Sequence, residues 1–136
     1  MPSLFAPGEF VLDYPTIYGI SLNERIWTVI YHLSKHPDLH IECCDDILNY
    51  EEKSEHLNYM ITFLDDQTNC LLIKNSGSSA FYFPKYRNVE YLLCACDENE
   101  INLEIIDIIS EFTDISLCFA LHKPNQKEIL NFIKLQ

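Results

Sequence analysis

His32, His36 and His40 recur at every fourth residue, and the adjacent pair Cys43-Cys44 follows closely. Histidines four apart on a helix are a zinc-binding spacing, because both imidazoles then face one side. Here Pro37 interrupts the helix between the second and third histidine. No glutamate stands between His32 and His36 to act as the general base of a metalloprotease. Neighbouring cysteines cannot easily both turn to one metal, and the chain contains no CxxC pair. The histidines therefore read as residues flanking a helix end, where the C-terminal dipole favours them. No metal and no cofactor is expected.

A cysteine nucleophile fares no better. Cys43 and Cys44 stand among Glu42, Asp45 and Asp46, an anionic setting that disfavours a thiolate. Cys70, Cys94, Cys96 and Cys118 lie inside apolar runs, where a reduced cysteine behaves as a small hydrophobe. A secreted disulfide framework would instead space its cysteines through the loops of a core-poor chain. The three glycines leave no material for a dinucleotide fingerprint or a P-loop. Alternating acids closed by a glycine and a late glutamate, the calcium-loop pattern, are also missing. No catalytic residue is expected.

The remaining candidates are carboxylates, and they are not spread evenly. Residues 42–66 hold eight acids (Glu42, Asp45, Asp46, Glu51, Glu52, Glu55, Asp65 and Asp66) against the single base Lys53. Residues 97–114 hold seven (Asp97, Glu98, Glu100, Glu104, Asp107, Glu111 and Asp114) against none. Each block is net −7 and the rest of the chain is +2, so the formal charge of −12 is local. Carboxylate pairs can do general acid–base work, but nothing singles out one pair here. Concentrated like charge repels itself and attracts cationic partners over several kT.

The elements that must carry these residues follow from periodicity. At 136 residues the chain is one domain. Residues 1–20, rich in proline and aromatics (Phe5, Pro7, Phe10, Tyr14, Pro15, Tyr18), read as an extended arm. Ser21-Leu22-Asn23-Glu24 has the form of a capping box, and Leu22, Ile26, Val29, Ile30 and Leu33 recur at helical spacing, predicting a helix over 22–36. Trp27 and Tyr31 fall outside that stripe. Residues 42–56 fit a charged helix or a loop equally well. Leu57, Tyr59, Ile61 and Phe63 alternate as a strand does. Asp65-Asp66-Gln67-Thr68 is a turn signal, and Cys70–Ile73 is the return strand of a hairpin. Ala80–Phe83 reads as a short strand, and Val89–Cys96, apolar on both faces, as a central one.

The last third changes period. Ile101, Ile105, Ile108, Ile109 and Phe112 form a helical stripe over 100–112, with Asp97 or Asn99 as the cap. Ile115–Leu121 is strand-like. Ile129, Leu130 and Ile133 give a closing helix over 125–135 its apolar face. The fold class is α+β: a mainly antiparallel sheet of about five strands, three or four packed helices, and a β-α-β crossover near the end.

On the helix over 100–112, Glu100, Glu104, Asp107 and Glu111 fall on one face, opposite the isoleucines. Like charges at that spacing cost about 0.2–0.5 kcal/mol per pair, and an ordinary solvated face would intersperse lysines. The stripe reads either as a plain solvated face or as a recognition surface for a basic partner. The second reading also takes in Asp97, Glu98 and Asp114, together with Asp45, Asp46, Glu51, Glu52 and Glu55 from the first block. Nucleic acid is not the expected partner, because phosphate contacts need clustered lysine and arginine. Anionic lipid would be repelled, and no window of the sequence is long and apolar enough to span a bilayer. The N-terminus lacks a basic stretch followed by an apolar run. A cytoplasmic location is expected.

In size, acidity and absence of catalytic motifs, the whole chain resembles small bacterial immunity proteins of toxin–immunity pairs. The resemblance is one of general character and carries over no individual residue. It implies a protein that binds a cognate toxin, such as a nuclease, and blocks its positive cleft. A nucleic-acid mimic, with carboxylates standing where phosphates would, is the alternative, and an enzyme with an unrecognised site is a third.

Overall fold

Residues 54–63 form a strand that pairs on both sides, over its whole length with one neighbour and from Asn58 to Phe63 with the other. The computed structural model describes residues 12–49 and 53–136. In chain order its elements are β1 (Tyr18–Leu22), α1 (Ile26–Ser34), β2 (Leu39–Asn49), β3 (Ser54–Phe63), β4 (Thr68–Lys74), β5 (Tyr91–Ala95), α2 (Leu103–Glu111), β6 (Ile115–Ala120) and α3 (Leu130–Ile133). A short 3-10 turn at Pro84–Tyr86 precedes β5. The strands form one sheet of order β2-β3-β4-β5-β1-β6, with every neighbouring pair antiparallel.

The expected hairpin is β3–β4, in register from Asn58 opposite Ile73 to Phe63 opposite Thr68. Its turn holds Gln67 at a left-handed φ of 59°. Expected as a central strand, β5 lies between β4 and β1 and is buried along its whole length. Because β5 and β6 are each antiparallel to the β1 strand between them, they run parallel to each other. The passage β5–α2–β6 is therefore the crossover expected near the end.

Both faces of the sheet are covered. By register, one face carries Ile61, Phe63, Cys70, Leu72, Leu93 and Ile20. Val29 and Leu33 of α1 and Ile105 and Ile109 of α2 are buried against the sheet. Ile105 shares a small cavity with Thr68 and Ala95 of that face. The opposite face carries Leu71, Ile73, Leu92 and Cys94. An aromatic cluster closes this side around Phe132 of α3, with ring centroids 5.6 Å from Tyr14, 5.3 Å from Tyr82 and 5.2 Å from Phe83. The Tyr14 hydroxyl donates to the Ala95 carbonyl, and the Tyr82 hydroxyl donates to the Asn131 carbonyl. Each buried phenol thus has the partner it needs.

Several expectations need correction. The stretch 42–56 is neither helix nor loop where described: it is the end of β2 and the start of β3. The described part of the supposed arm contains buried Tyr14 and Ile17 and then β1, an interior strand; residues 1–11, with Phe5, Pro7 and Phe10, lie outside the described residues. Gly19 permits that placement, since a Cβ there would sit 3.0 Å from Leu121 and 3.1 Å from Val89. Ser21 belongs to β1, opposite Leu117, so the capping box does not form. Helix α1 starts at Ile26 behind Arg25, without a side-chain cap.

Ala80–Phe83 makes only the isolated bridge of Phe81 with Ser76. Asn75 bends this segment instead. Its Oδ1 accepts from the Phe83 amide at 2.8 Å, and its Nδ2 donates to the carbonyls of Tyr86 at 2.8 Å and Val89 at 3.1 Å. The closing helix is a single turn in which Ile129 and Phe132 are buried and Leu130 is exposed. Among the described residues, no helix is long and apolar enough to cross a membrane.

Candidate functional site

Helix α2 is set by its cap and its buried stripe. Asn102 caps it, its side chain accepting from the Glu104 amide at 2.9 Å; neither Asp97 nor Asn99 plays that part. Ile105 and Ile109 point into the core, so helical geometry turns Glu104, Asp107 and Glu111 outward together. All three are exposed, and beside them Leu103 is 67% exposed. The face begins at an apolar side chain and carries three carboxylates, with no base in the helix.

Glu100 does not belong to that stripe. It precedes the helix, and both its carboxylate oxygens accept from the Thr16 amide, at 2.9 and 3.1 Å. Asp114 is also withdrawn. It is buried, and its Oδ2 lies 2.5 Å from Nδ1 of His32, so it serves structure rather than a free surface. Asp97 is exposed and accepts from the Asn99 amide at 2.8 Å. Glu98 joins Asp13, Tyr14, Pro15, Glu100 and Gln136 around a cleft of about 300 Å³.

The first acidic block is divided. Asp66, in the β3–β4 turn, reaches α2: Nδ2 of Asn102 donates to it at 2.9 Å. The Thr68 hydroxyl and that amide hold the Asp66 carboxyl below the usual carboxylate range. Asp45 and Asp46 are exposed where β2 loses register between Cys44 and Ile47, and Glu55 is exposed on β3. These three lie toward the β2 edge of the sheet, whereas α2 packs against β6 at the opposite edge. Glu51 and Glu52 lie outside the described residues. Among the described residues the first block is thus split between Asp66, beside α2, and the β2 edge.

The other chemical candidates diverge. His32 turns to Asp114; Nδ1 of His36 accepts from the Asp38 amide at 3.1 Å; Nε2 of His40 meets Glu42 at 3.1 Å. Among the described residues, no three His, Cys, Asp or Glu side chains are grouped to hold a metal ion. Cys43 and Cys44, adjacent on β2, project to opposite faces. Burial pushes the thiols of Cys70 and Cys94 up, and that of Cys96 up to about 11, against any thiolate role. A groove of about 620 Å³ runs past Asn23, Arg25, Lys74, Ser76 and Glu90, with charges of both signs and no histidine or cysteine.

Two exposed apolar features escaped the reading of the sequence. Leu103 sits at the start of the acidic face, and Leu117 and Phe119 are exposed on β6. A signal for the second was present in the uncharged run Ile115–Leu121. Trp27 and Tyr31, outside the α1 stripe, are exposed, with the Arg25 guanidinium 5.2 Å from the Trp27 ring and the Lys35 ammonium 4.9 Å from the Tyr31 ring. Compared with known proteins, the chain matches no family model, no curated protein and no solved structure.

Proposed function

We propose that this chain is an immunity-type inhibitor, binding a basic partner protein through the outward face of α2 and covering that partner's positive cleft. The observation that carries the reading is the grouping of Glu104, Asp107 and Glu111 on one outward face that begins at exposed Leu103, with no base on the helix. Carboxylates held on a rigid helix steer a cationic partner by long-range attraction. The apolar side chain at the start of that face supplies the desolvated contact that charge alone does not. The function is binding, not catalysis, and the partner is a toxin or nuclease domain of the same cell.

The test is purification from the native source at low ionic strength. A basic protein should be retained in stoichiometric amount and released as salt rises. The triple variant E104Q/D107Q/E111Q should fold and fail to retain it. Expression of that partner alone should arrest growth, and co-expression of this chain should relieve the arrest. Retention by the triple variant equal to that of the native chain would sink the assignment of the face. A partner harmless on its own would sink the immunity reading while leaving the interface standing.

A further inference from the structure

The two edges of the sheet are built differently. On β2, the register breaks between Cys44 and Ile47, and His40, Glu42, Asp45 and Asp46 are exposed along the strand. A bulge and edge charges are the devices by which native sheets refuse another strand. On β6, no residue from Ile115 to Leu121 is charged and none is proline. Its one irregularity, at Ser116, leaves Leu117–Ala120 in regular register with Tyr18–Ser21. Among the described residues β6 has a single hydrogen-bonded neighbour, β1. On one face of this open edge Leu117 is 58% and Phe119 is 40% exposed.

We propose that β6 pairs antiparallel with β6 of a second copy of this chain, joining the two sheets into one across a two-fold axis at Phe119. The alternation of the backbone fixes which groups are free. The Leu121 amide donates to the Ile17 carbonyl at 2.9 Å, beside β1, so the N–H and C=O groups of Cys118 and Ala120 point outward. Centring the pair on Phe119 sets Cys118 opposite Ala120 of the second copy, twice over, and all four residues exchange hydrogen bonds. Phe119 then faces its own symmetry mate in a non-hydrogen-bonded position, where side chains lie closest and aromatic pairs are favoured. Leu117 lies diagonally beside it.

Charge selects a second copy, and the antiparallel direction, over other occupants. The segment is dipolar: exposed Glu111 precedes the uncharged run, and Lys123, half exposed with its Nζ 3.1 Å from Asp13, follows it. Antiparallel self-pairing lays the basic end of each copy along the acidic end of the other. A parallel arrangement would set like charges side by side. A chain of net −12 repels itself over most of its surface, and this edge is where two copies meet with opposite charges at both ends. An isologous contact of this kind closes on itself at two chains.

Light scattering on the native chain should give twice the 15.9 kDa monomer mass. Phe119→Lys should return it to the monomer mass with an unchanged far-ultraviolet spectrum. Register is tested separately with diamide as oxidant. Phe119→Cys should form a disulfide between copies, identified by peptide mapping, while Leu117→Cys, which faces Leu121 of the second copy, should cross-link at least tenfold more slowly. A native chain that stays monomeric at its highest soluble concentration overturns the proposal. So does a dimer that Phe119→Lys leaves intact while folded, or Leu117→Cys cross-linking as fast as Phe119→Cys.

Discussion

His32 and Asp114 meet at 2.5 Å between Nδ1 and Oδ2, joining α1 to the residue that leads into β6. The side chain of Asp114 is 9% exposed and that of His32 is 47%. The Asp114 carbonyl also accepts from the Asn23 amide at 2.7 Å, and Nδ2 of Asn23 donates to the Thr113 carbonyl at 3.0 Å. One short segment thus ties the beginning of α1, its side and the sheet together. An acid counted from the sequence among recognition residues is in fact a clamp between elements.

Asp114→Asn should therefore lower stability by about 1–2 kcal/mol. A hydrogen bond to a charged group is worth about 1.5–3 kcal/mol when sheltered, and less where one partner is half exposed. Urea denaturation gives the value. Unchanged stability in the variant would show that the contact is incidental. Binding through the α2 face should survive, since Asp114 is not part of it.

Glu111→Gln should act in the opposite direction and stabilise the protein by about 0.3–1 kcal/mol. Glu111 ends α2, where the helix dipole is negative and no base stands in the last turn. It also lies four residues from Asp107, a repulsive spacing. Thermal denaturation should show a higher midpoint for the variant at low salt. Added salt should shrink the difference, because exposed charges are screened. A gain that is the same at all salt concentrations would mean that electrostatics is not its source.

The sequence announced elements wherever one period dominated. The β3–β4 hairpin, β5, β6 and α2 were legible because their buried positions repeat cleanly: Ile61 and Phe63 on one strand, Ile105 and Ile109 on the helix. β2 was hidden because an edge strand sets few residues in the core. Of Leu39–Asn49 only Leu39 and Asn49 are fully buried, and exposed acids sit at the break in register. β1 was hidden because Pro15 stands shortly before it and its fit depends on Gly19, whose missing side chain leaves no pattern to read. Within the candidate site the outward grouping of Glu104, Asp107 and Glu111 was legible from spacing alone. The removal of Glu100 by Thr16 and of Asp114 by His32 was not, because both contacts join residues more than eighty positions apart.

Asn75→Ala should be among the most damaging single changes, lowering stability by about 3 kcal/mol or more. The side chain is fully buried and serves one amide and two carbonyls of the segment that follows. Truncation leaves those backbone groups without their partner, at about 1–3 kcal/mol for each that stays buried. Denaturation measures the loss, and hydrogen exchange should locate it at Phe83 and around residues 75–90. A loss below 1 kcal/mol would show that the segment refolds around the gap. Gly77→Ala should damage the same region by overpacking, since a Cβ there would stand 2.2 Å from Oγ of Ser54 and 2.6 Å from Nε2 of His56.

His56 should make the fold sensitive to mild acid. Its ring is fully buried on β3, and Nδ1 donates to the Lys74 carbonyl at 2.8 Å. Nε2 has no hydrogen-bond partner within the described structure. The neutral ring with its proton on Nδ1 is the form this site accepts. Burial holds the pKa of His56 below its ordinary 6.5; the Lys74 carbonyl opposes that shift, nearby Lys134 adds to it, and Asp46 opposes it. The unfolded chain therefore takes up a proton that the folded chain resists. The stability contributed by the neutral ring is complete above pH 6.5 and is lost as pH falls through the lowered folded value. His56→Asn, whose Nδ2 can donate to the same carbonyl, should remove that part of the pH dependence. Carboxylates titrating at lower pH affect both proteins alike, so the difference between their stability profiles from pH 7 down isolates His56. Parallel profiles would show that His56 does not titrate with unfolding.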